Sequence, residues 1–416
     1  MEILLWACAL LLLHTYVLYP LSLPVLARLF PARRAKAGAE ATETPAHRPK
    51  VSLIIAAYNE EKILEDKIRN CFELEYPRED IEILIGSDGS SDRTEAIAAQ
   101  YAPGVKLFAF TSREGKASVL NRLVPAARGE ILVFCDANTM LLKNVLQKLT
   151  APFADSRVGS VCGKLILHDA GESALGIGES IYWNLESEIK KQEGRLGTVI
   201  GANGGIYAIR KELYSPIPVG VKVMDDFYVT TRVLCAGKAV VYEPQAIGSE
   251  ETSLDAYGEF HRKVRISQAN FNLLPRYIPL LNPLRPLVAY GFFSHKLLRW
   301  LAPLLLIVQF LANIELAFGS RFYGILLVAQ VGFYAAAGLA RLLGPEARRH
   351  KLLLIPFYFV SMNAALLMGL FRALAVRGGG GTWSRVERAA TRPAEPVQAK
   401  VFSYPPVRAQ AGDYPN

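Results

Sequence analysis

With 416 residues the chain has room for one large domain or two smaller ones, and 51% of it is hydrophobic, more than most soluble proteins carry. A net charge of +9 could suit nucleic acid, but the basic residues cluster beside apolar stretches and around residues 262–265 instead of forming one stripe. That argues against nucleic acid and makes anionic lipid the expected counter-charge. The five cysteines, Cys8, Cys71, Cys135, Cys162 and Cys235, are odd in number and lack CxxC spacing, so neither a disulfide framework nor a zinc site is expected.

The first element, residues 3–19, has close to the length that a bilayer core demands. It has an acidic start and is followed by Arg28, Arg33, Arg34 and Lys36, the reverse of a secretory signal. Residues 1–30 therefore read as an uncleaved anchor with its amino terminus outside. Residues 31–49, containing AKAGAEATETPAHRP, are small, polar and Pro-containing and read as a linker.

From Lys50 the texture changes. Residues 51–56 predict a buried strand, 60–73 a helix, 81–85 a strand, 92–101 a helix, 105–110 a strand, 116–127 a helix and 131–134 a strand. This alternation predicts parallel βαβ units whose strands end at one edge of a sheet, where open α/β folds bind ligands. Residues 158–167 predict another strand, 172–193 a helix and 206–209 a strand; the alternation weakens after 167, and a substrate-binding half is expected to start there. Residues 226–236 and 255–274 predict further helices. The second alternates Arg262, Lys263 and Arg265 with Phe260, Val264 and Ile266, the pattern of a basic amphipathic helix on the cytosolic membrane surface.

The domain is thus expected at 50–253 and interfacial helices at 254–300, where 283–300 carries Arg285, His295, Lys296 and Arg299. Membrane helices are expected at 301–376, with candidate spans at 301–318, 322–340 and 352–371, and a largely disordered cytosolic tail at 377–416. If the domain is cytosolic and all three stretches cross, the basic segment 381–388 ends outside, against the charge rule. Residues 352–371, preceded by Arg348, Arg349, His350 and Lys351 and carrying Pro356 and Asn363, are therefore expected to lie in the interface or re-enter.

Four acidic landmarks follow in order: Asp88 in SDGSSD, Asp136 in FCDAN, and Asp225 and Asp226 in VMDDF. The first two end predicted strands, so they gather at one sheet edge, where carboxylates suit a cation and a diphosphate. AAYNEE places Tyr58, Asn59 and Glu60 at a strand-to-helix turn fit for a nucleobase or phosphate, though a helix cap accounts for it equally. Asp136 and Asn138, one residue apart, can face a shared hard cation such as Mg2+, which takes oxygen ligands; a capping Asp is the plainer alternative. Lys116 opens a helix between two strand ends, near the expected phosphates unless it is simply solvated. In the pair at the start of the 226–236 helix, one carboxylate can be fixed while the other serves as general base towards an acceptor hydroxyl; the plainer role is to complement the helix dipole.

Taken in order, AAYNEE, SDGSSD, GKASVLN, DAN, GANGGIYAIR, MDD and RKVR resemble the membrane-integrated branch of the family-2 glycosyltransferases, which includes cellulose, hyaluronan, chitin and poly-N-acetylglucosamine synthases. The resemblance spans roughly residues 51–388 and implies an α/β GT-A fold, Rossmann-like with a mostly parallel sheet, joined to a helical membrane region. It implies that Ala57, Tyr58, Glu60 and Asp88 bind the uridine part of a UDP-sugar while Lys116 and Asp136 approach its diphosphate. Asp136 and Asn138 stand at the family's metal motif for Mg2+ or Mn2+, usually Asp-x-Asp, so Asn138 is a departure. Asp226 would be the base and Asp225 its neighbour, giving a β-linked product by inversion of an α-linked donor. Gly204 and Gly205 would lie beside the donor sugar and the acceptor end.

Of the family's Gln-x-x-Arg-Trp signature, Arg265 matches the Arg but Ile266 stands where Trp is expected; Arg262 and Arg265 are assigned to the acceptor and leaving-diphosphate side. Trp383 in GTWSRVER is similar to a Trp-containing cytosolic segment of hyaluronan-synthase-like members. The first reading is extension and export of a polysaccharide from a UDP-sugar, at the cytosolic face of a bacterial inner or plasma membrane, with export or assembly subunits as partners. Ile266 and the small number of spans make a lipid or lipid-linked acceptor the alternative. A non-catalytic sugar-nucleotide-binding subunit is less favoured, because Asp136, Asp225 and Asp226 are all present.

Overall fold

The computed structural model describes residues 1–31, 48–168, 174–251, 256–344 and 350–375. Most of the predicted linker and tail, with Trp383, lie outside them.

Eight strands form one sheet: β1 (Val51–Ala57), β2 (Ile81–Asp88), β3 (Lys106–Phe110), β4 (Ile131–Asp136), β5 (Met140–Leu141), β6 (Val158–His168), β7 (Ile206–Arg210) and β8 (Ala239–Glu251). Their order is β3-β2-β1-β4-β7-β6-β8-β5. All seven residues of β1 are buried, because VSLIIAA lies centrally with apolar packing on both faces and so has no polar side to alternate with. β1 runs parallel to β2 and β4, pairing Ala57 with Ser87 and Ala56 with Asp136, which sets three strand ends side by side. β7 runs antiparallel to β4, with Ile206 opposite Cys135. Its leading end, just after Gly204 and Gly205, therefore arrives at the same edge. The α/β reading is right, and the strand expected at 206–209 is β7, though its antiparallel direction was not legible; the 13-residue β8, whose sequence breaks at Pro244, was not anticipated.

The helices of this domain are α2 (Leu64–Phe72), α3 (Thr94–Ala99), α4 (Lys116–Ala126), α5 (Val145–Thr150), α6 (Ala174–Leu196) and α7 (Asp225–Cys235), followed by α8 (Ala256–Asn272); the amino-terminal helix, α1, spans Glu2–Leu29. α2 starts four residues later than the 60–73 pattern suggests. Asn59 is left-handed at φ 54°, and its side chain exchanges hydrogen bonds with Ser91, so residues 58–61 are a loop pinned to the 90–94 loop and not a helical turn.

Among the described residues four helices are long and apolar enough to cross a membrane: α1, α9 (Pro286–Ala317), α10 (Arg321–Leu342) and a last one of which Leu352–Ala375 is the apolar part. At 1.5 Å per residue even the 22 residues of α10 reach about 33 Å, more than a hydrocarbon core. Two expectations change here. Residues 286–300 are not a separate interfacial segment but the first half of α9, continuous through a π-helical turn. The stretch at 352–371 forms no re-entrant break: α11 (Lys351–Ala375) is one helix despite Pro356. Its later turns lie against α8, where Ser267 Oγ donates to the Leu366 carbonyl at 2.8 Å and a methyl on Gly369 would stand 2.3 Å from Ser267 Cβ.

A buried ionic cluster joins α1 and α9 to α6. His295 sets one ring nitrogen 2.7 Å from Glu193 and the other 3.0 Å from Glu186, Tyr19 donates to Glu193 at 2.6 Å, and Lys296 and Arg299 reach Glu186 at 2.8 and 3.1 Å. Glu193 also accepts the Ile200 N–H at 3.0 Å, so the same cluster holds the start of the loop at 200–205.

Candidate active site

The sheet edge is organised by the short segment 113–116, which all the neighbouring motifs grip. Asp88, 1% exposed at the end of β2, accepts N–H groups of Glu114 and Gly115 at 2.8 and 2.9 Å. Burial pushes its carboxyl up, against those amides and Arg113. Gly115 has φ 95°, a conformation that suits glycine and turns the chain into α4. Arg113 stacks 3.9 Å above the Tyr58 ring, and the Glu60 N–H donates to Thr94 at 2.7 Å, so both predicted donor loops border this segment.

Lys116 follows immediately. Its ammonium lies 2.7 Å from Asp136 and 3.0 Å from Asp225. Burial alone would lower its pKa; the two carboxylates outweigh burial and hold the ammonium charged, well above the ordinary lysine value. A strand end, a helix start and a second helix start therefore converge on one charge. Asp226, beside Asp225 and only 8% exposed, accepts its neighbour Phe227's N–H at 2.8 Å. Burial, and then the charge of Asp225, push its carboxyl up to about 6. A carboxylate with that pKa, next to one already engaged by lysine, can take a proton near neutral pH.

The loop at 200–205 closes over this pair. Gly201, at φ 90°, abuts Phe227 so tightly that a methyl would come within 2.4 Å of the ring. Asn203 is buried, donates to the Gly163 carbonyl at 2.7 Å and accepts from Lys190. A methyl on Gly204 would sit 3.2 Å from Asp226 Oδ2, and one on Gly205 2.6 Å from both Glu250 and Thr139 oxygens. We expect Gly204→Ala to displace Asp226 and lower kcat on the order of 10-fold to 100-fold with the donor KM nearly unchanged, as steady-state kinetics would read.

Asn138 turns its buried Nδ2 to a place with no hydrogen-bond partner. Rotating that amide by half a turn would present its oxygen there. Among the described residues no group of three or more His, Cys, Asp or Glu side chains forms a ready-made metal cluster.

The structure thus brings together Tyr58, Glu60, Asp88, Lys116, Asp136, Asp225, Asp226, Gly204 and Gly205, with Ala57 at the end of β1. Arg262 and Arg265 lie on α8. Arg262 pairs with Glu259 at 2.5 Å on its own helix, and Arg265 neighbours Lys222, which donates to Gln268 at 3.1 Å. Arg113, Lys190 and Asn203 were missed, since each reads in sequence as an ordinary surface or turn residue. Behind Asp226 an aromatic cluster of Phe227, Tyr277, Phe292 and Trp300 fills the core. Trp300 is 5% exposed and makes no sugar platform in place of the Trp missing at Ile266.

Residues 52–217 match the model of the glycosyl transferase family 2. Curated relatives include a beta-monoglucosyldiacylglycerol synthase of Trichormus variabilis, 29% identical over 39% of this chain and 36% of its own. Another is a poly-beta-1,6-N-acetyl-D-glucosamine synthase of Staphylococcus epidermidis, 25% identical over 54% of this chain and 56% of its own. The chain therefore spans between about a third and just over half the length of these relatives. Among solved structures, a mannosyltransferase from Pyrobaculum calidifontis in complex with GDP-Man and Mn2+ superposes with a TM-score of 0.62 at 22% identity, covering 89% of this chain and 99% of that one. The likeness shows that the sheet and its helices are a GT-A fold. The carboxylate and lysine cluster accordingly lies at the sheet edge of a GT-A domain whose residues 52–217 match the glycosyl transferase family 2.

Proposed function

We propose that the chain transfers a sugar from a nucleotide sugar, a UDP-sugar, to an acceptor hydroxyl with inversion, at the cytosolic face of a membrane. The observation that carries this is Lys116 fixed between Asp136 and Asp225 with Asp226 alongside. On this reading Tyr58 and the 87–94 loop receive the uridine, and Lys116 meets the diphosphate. Asp226 takes the proton of the incoming hydroxyl as its oxygen attacks the anomeric carbon and the bond to the diphosphate breaks. Asp225, tied to Lys116, helps burial to raise the neighbouring Asp226 carboxyl.

The donor set also suits a hard divalent cation. Asp136 supplies a carboxylate, and the unpartnered Asn138 amide supplies a carbonyl oxygen once turned, with diphosphate oxygens completing the shell. Such an ion, Mn2+ or Mg2+, would neutralise charge on the leaving diphosphate. The mannosyltransferase with the same fold was solved with Mn2+. Chelation is expected to abolish transfer and either ion to restore it, with restoration at higher metal concentration than an Asp at residue 138 would need; titrating Mn2+ into EDTA-stripped wild type and Asn138→Asp checks this.

For the acceptor, one observation favours a lipid over a polymer exported through the chain itself. The gap between α9, α10 and α11, about 220 Å³, is lined by Pro303, Phe310, Tyr334 and Phe359 among mainly aliphatic neighbours, an apolar groove and not a polar track for a sugar chain. The relative named as a beta-monoglucosyldiacylglycerol synthase makes diacylglycerol a fair first acceptor. Purified protein in nanodiscs with and without diacylglycerol, given a panel of UDP-sugars, should release UDP and yield a single glycolipid mass. A ladder of long products would return the polysaccharide reading to first place, and no UDP release from any donor would sink the enzyme assignment.

A further inference from the structure

Lys67 lies on α2 and is fully buried, a rare place for lysine. Its ammonium donates to Cys135 Sγ at 2.9 Å and to the Thr139 carbonyl. Three residues on, Asn70 grips the backbone of Leu141, donating to its carbonyl at 2.9 Å and accepting its N–H at 2.8 Å. Residues three apart share a helix face, so one face of α2 fastens the chain on both sides of the Asp136 to Asn138 turn: Cys135 before it, Thr139 and Leu141 after it. The turn closes on itself through the Thr139 N–H and the Asp136 carbonyl at 3.1 Å. Beyond the turn, Thr139 Oγ1 donates to Glu250, against which Gly205 packs.

An apolar side chain would fill this helix position without the cost of desolvating an ammonium. Burial works against the charge, Cys135, Cys71 and Asp136 work for it, and the balance holds the pKa above the ordinary lysine value. Lys116, by contrast, faces the site and is matched by two carboxylates. The hydrogen bonds of Lys67 go to a thiol and a carbonyl, so its charge is left to act through a low-dielectric interior on what lies above, Asp136 first.

We propose that Lys67 is a positioning residue for the donor: from beneath the strand end it fixes the Asp136 to Asn138 turn and places a permanent positive charge under the site that receives the diphosphate. This rests on the nucleotide-sugar reading above and adds to it a buried counter-charge that never touches the substrate. The role divides the donor into parts. The diphosphate should sense Lys67, and the uridine, held by the separate 57–60 and 87–94 loops, should not.

The test measures binding of UDP and of uridine to the full-length protein in detergent by calorimetry, without metal and with Mn2+, alongside thermal unfolding. In Lys67→Met and Lys67→Gln, UDP affinity should fall about tenfold while uridine affinity stays as in wild type. Gln keeps hydrogen-bond donors without the charge, so full recovery of UDP binding in Lys67→Gln would overturn the electrostatic half of the proposal. A UDP-to-uridine ratio unchanged in both variants, or the two ligands weakening in parallel with lost thermal stability, would overturn all of it. Should both position-67 variants fail to fold, Asn70→Ala loosens the same turn through Leu141, and an unchanged ratio there overturns the assignment. Wild-type protein that binds UDP no better than uridine would instead overturn the nucleotide-sugar reading itself.

Discussion

Asp226→Asn is expected to lower kcat by about 10²-fold to 10⁴-fold, the usual worth of a positioned general base, while leaving donor binding within a few-fold of wild type. Two carboxylates compete for the role, and their surroundings decide between them. Asp225 is committed to Lys116 at 3.0 Å, whereas Asp226 lies beside Gly204 with its pKa raised to about 6 by burial and by Asp225. The base must be ionised to act, so kcat/KM should rise with pH through about 6 and level off above it, and Asp226→Asn should erase that limb. Stability moves the other way. A carboxyl whose folded pKa is raised burdens the fold once ionised, so the burden is absent below the ordinary Asp value and fully present above about 6. Asp226→Asn should therefore unfold at a higher temperature than wild type at pH 8, with the gap closing towards pH 4. Turnover preserved in the Asn variant would remove Asp226 from the mechanism; lost turnover with a lowered unfolding temperature would mean that the residue is structural.

The part of this site legible in the sequence is the part built from strand ends. Asp88 and Asp136 close apolar runs of period and length typical of parallel strands, and register then places them side by side, as with Ala56 opposite Asp136. Lys116 and the Asp225 and Asp226 pair were legible as helix starts between those strands. What stayed hidden depends on contacts distant along the chain. Lys190 reads as one more solvated helical charge until the fold sets it against Asn203, and Lys67 reads as the polar face of α2 until β4 covers it. The membrane region was legible as apolar lengths but not as joints. Nothing in the local pattern of 283–300 shows that His295, Lys296 and Arg299 face two glutamates more than a hundred residues earlier, so a charged apolar helix was read as interfacial when it is docked.

Glu186→Leu is expected to be the most destabilising single change at the joint between domain and membrane helices. In wild type, burial would push the Glu186 carboxyl up, but His295, Lys296 and Arg299 outweigh it and hold the group well below the usual carboxylate range. Removing that one carboxylate leaves the basic side chains of His295, Lys296 and Arg299 crowded in a dry joint, and breaking a buried pair from one side typically costs about 3–5 kcal/mol. The asymmetry of such clusters supplies the control. Exchanging Glu186→Leu together with Lys296→Met and Arg299→Met, with His295 left on Glu193, removes the unmatched charges along with their partner and should regain most of the loss. Thermal unfolding of both variants in nanodiscs reads the difference. Kinetics should follow stability only in part, because Glu193 still holds Ile200 and with it the loop that sets Gly204 against Asp226. A single variant as stable as wild type would show that the released basic side chains find water or lipid phosphate, and that the joint is held by packing around Tyr19, Leu23 and Ile189 instead.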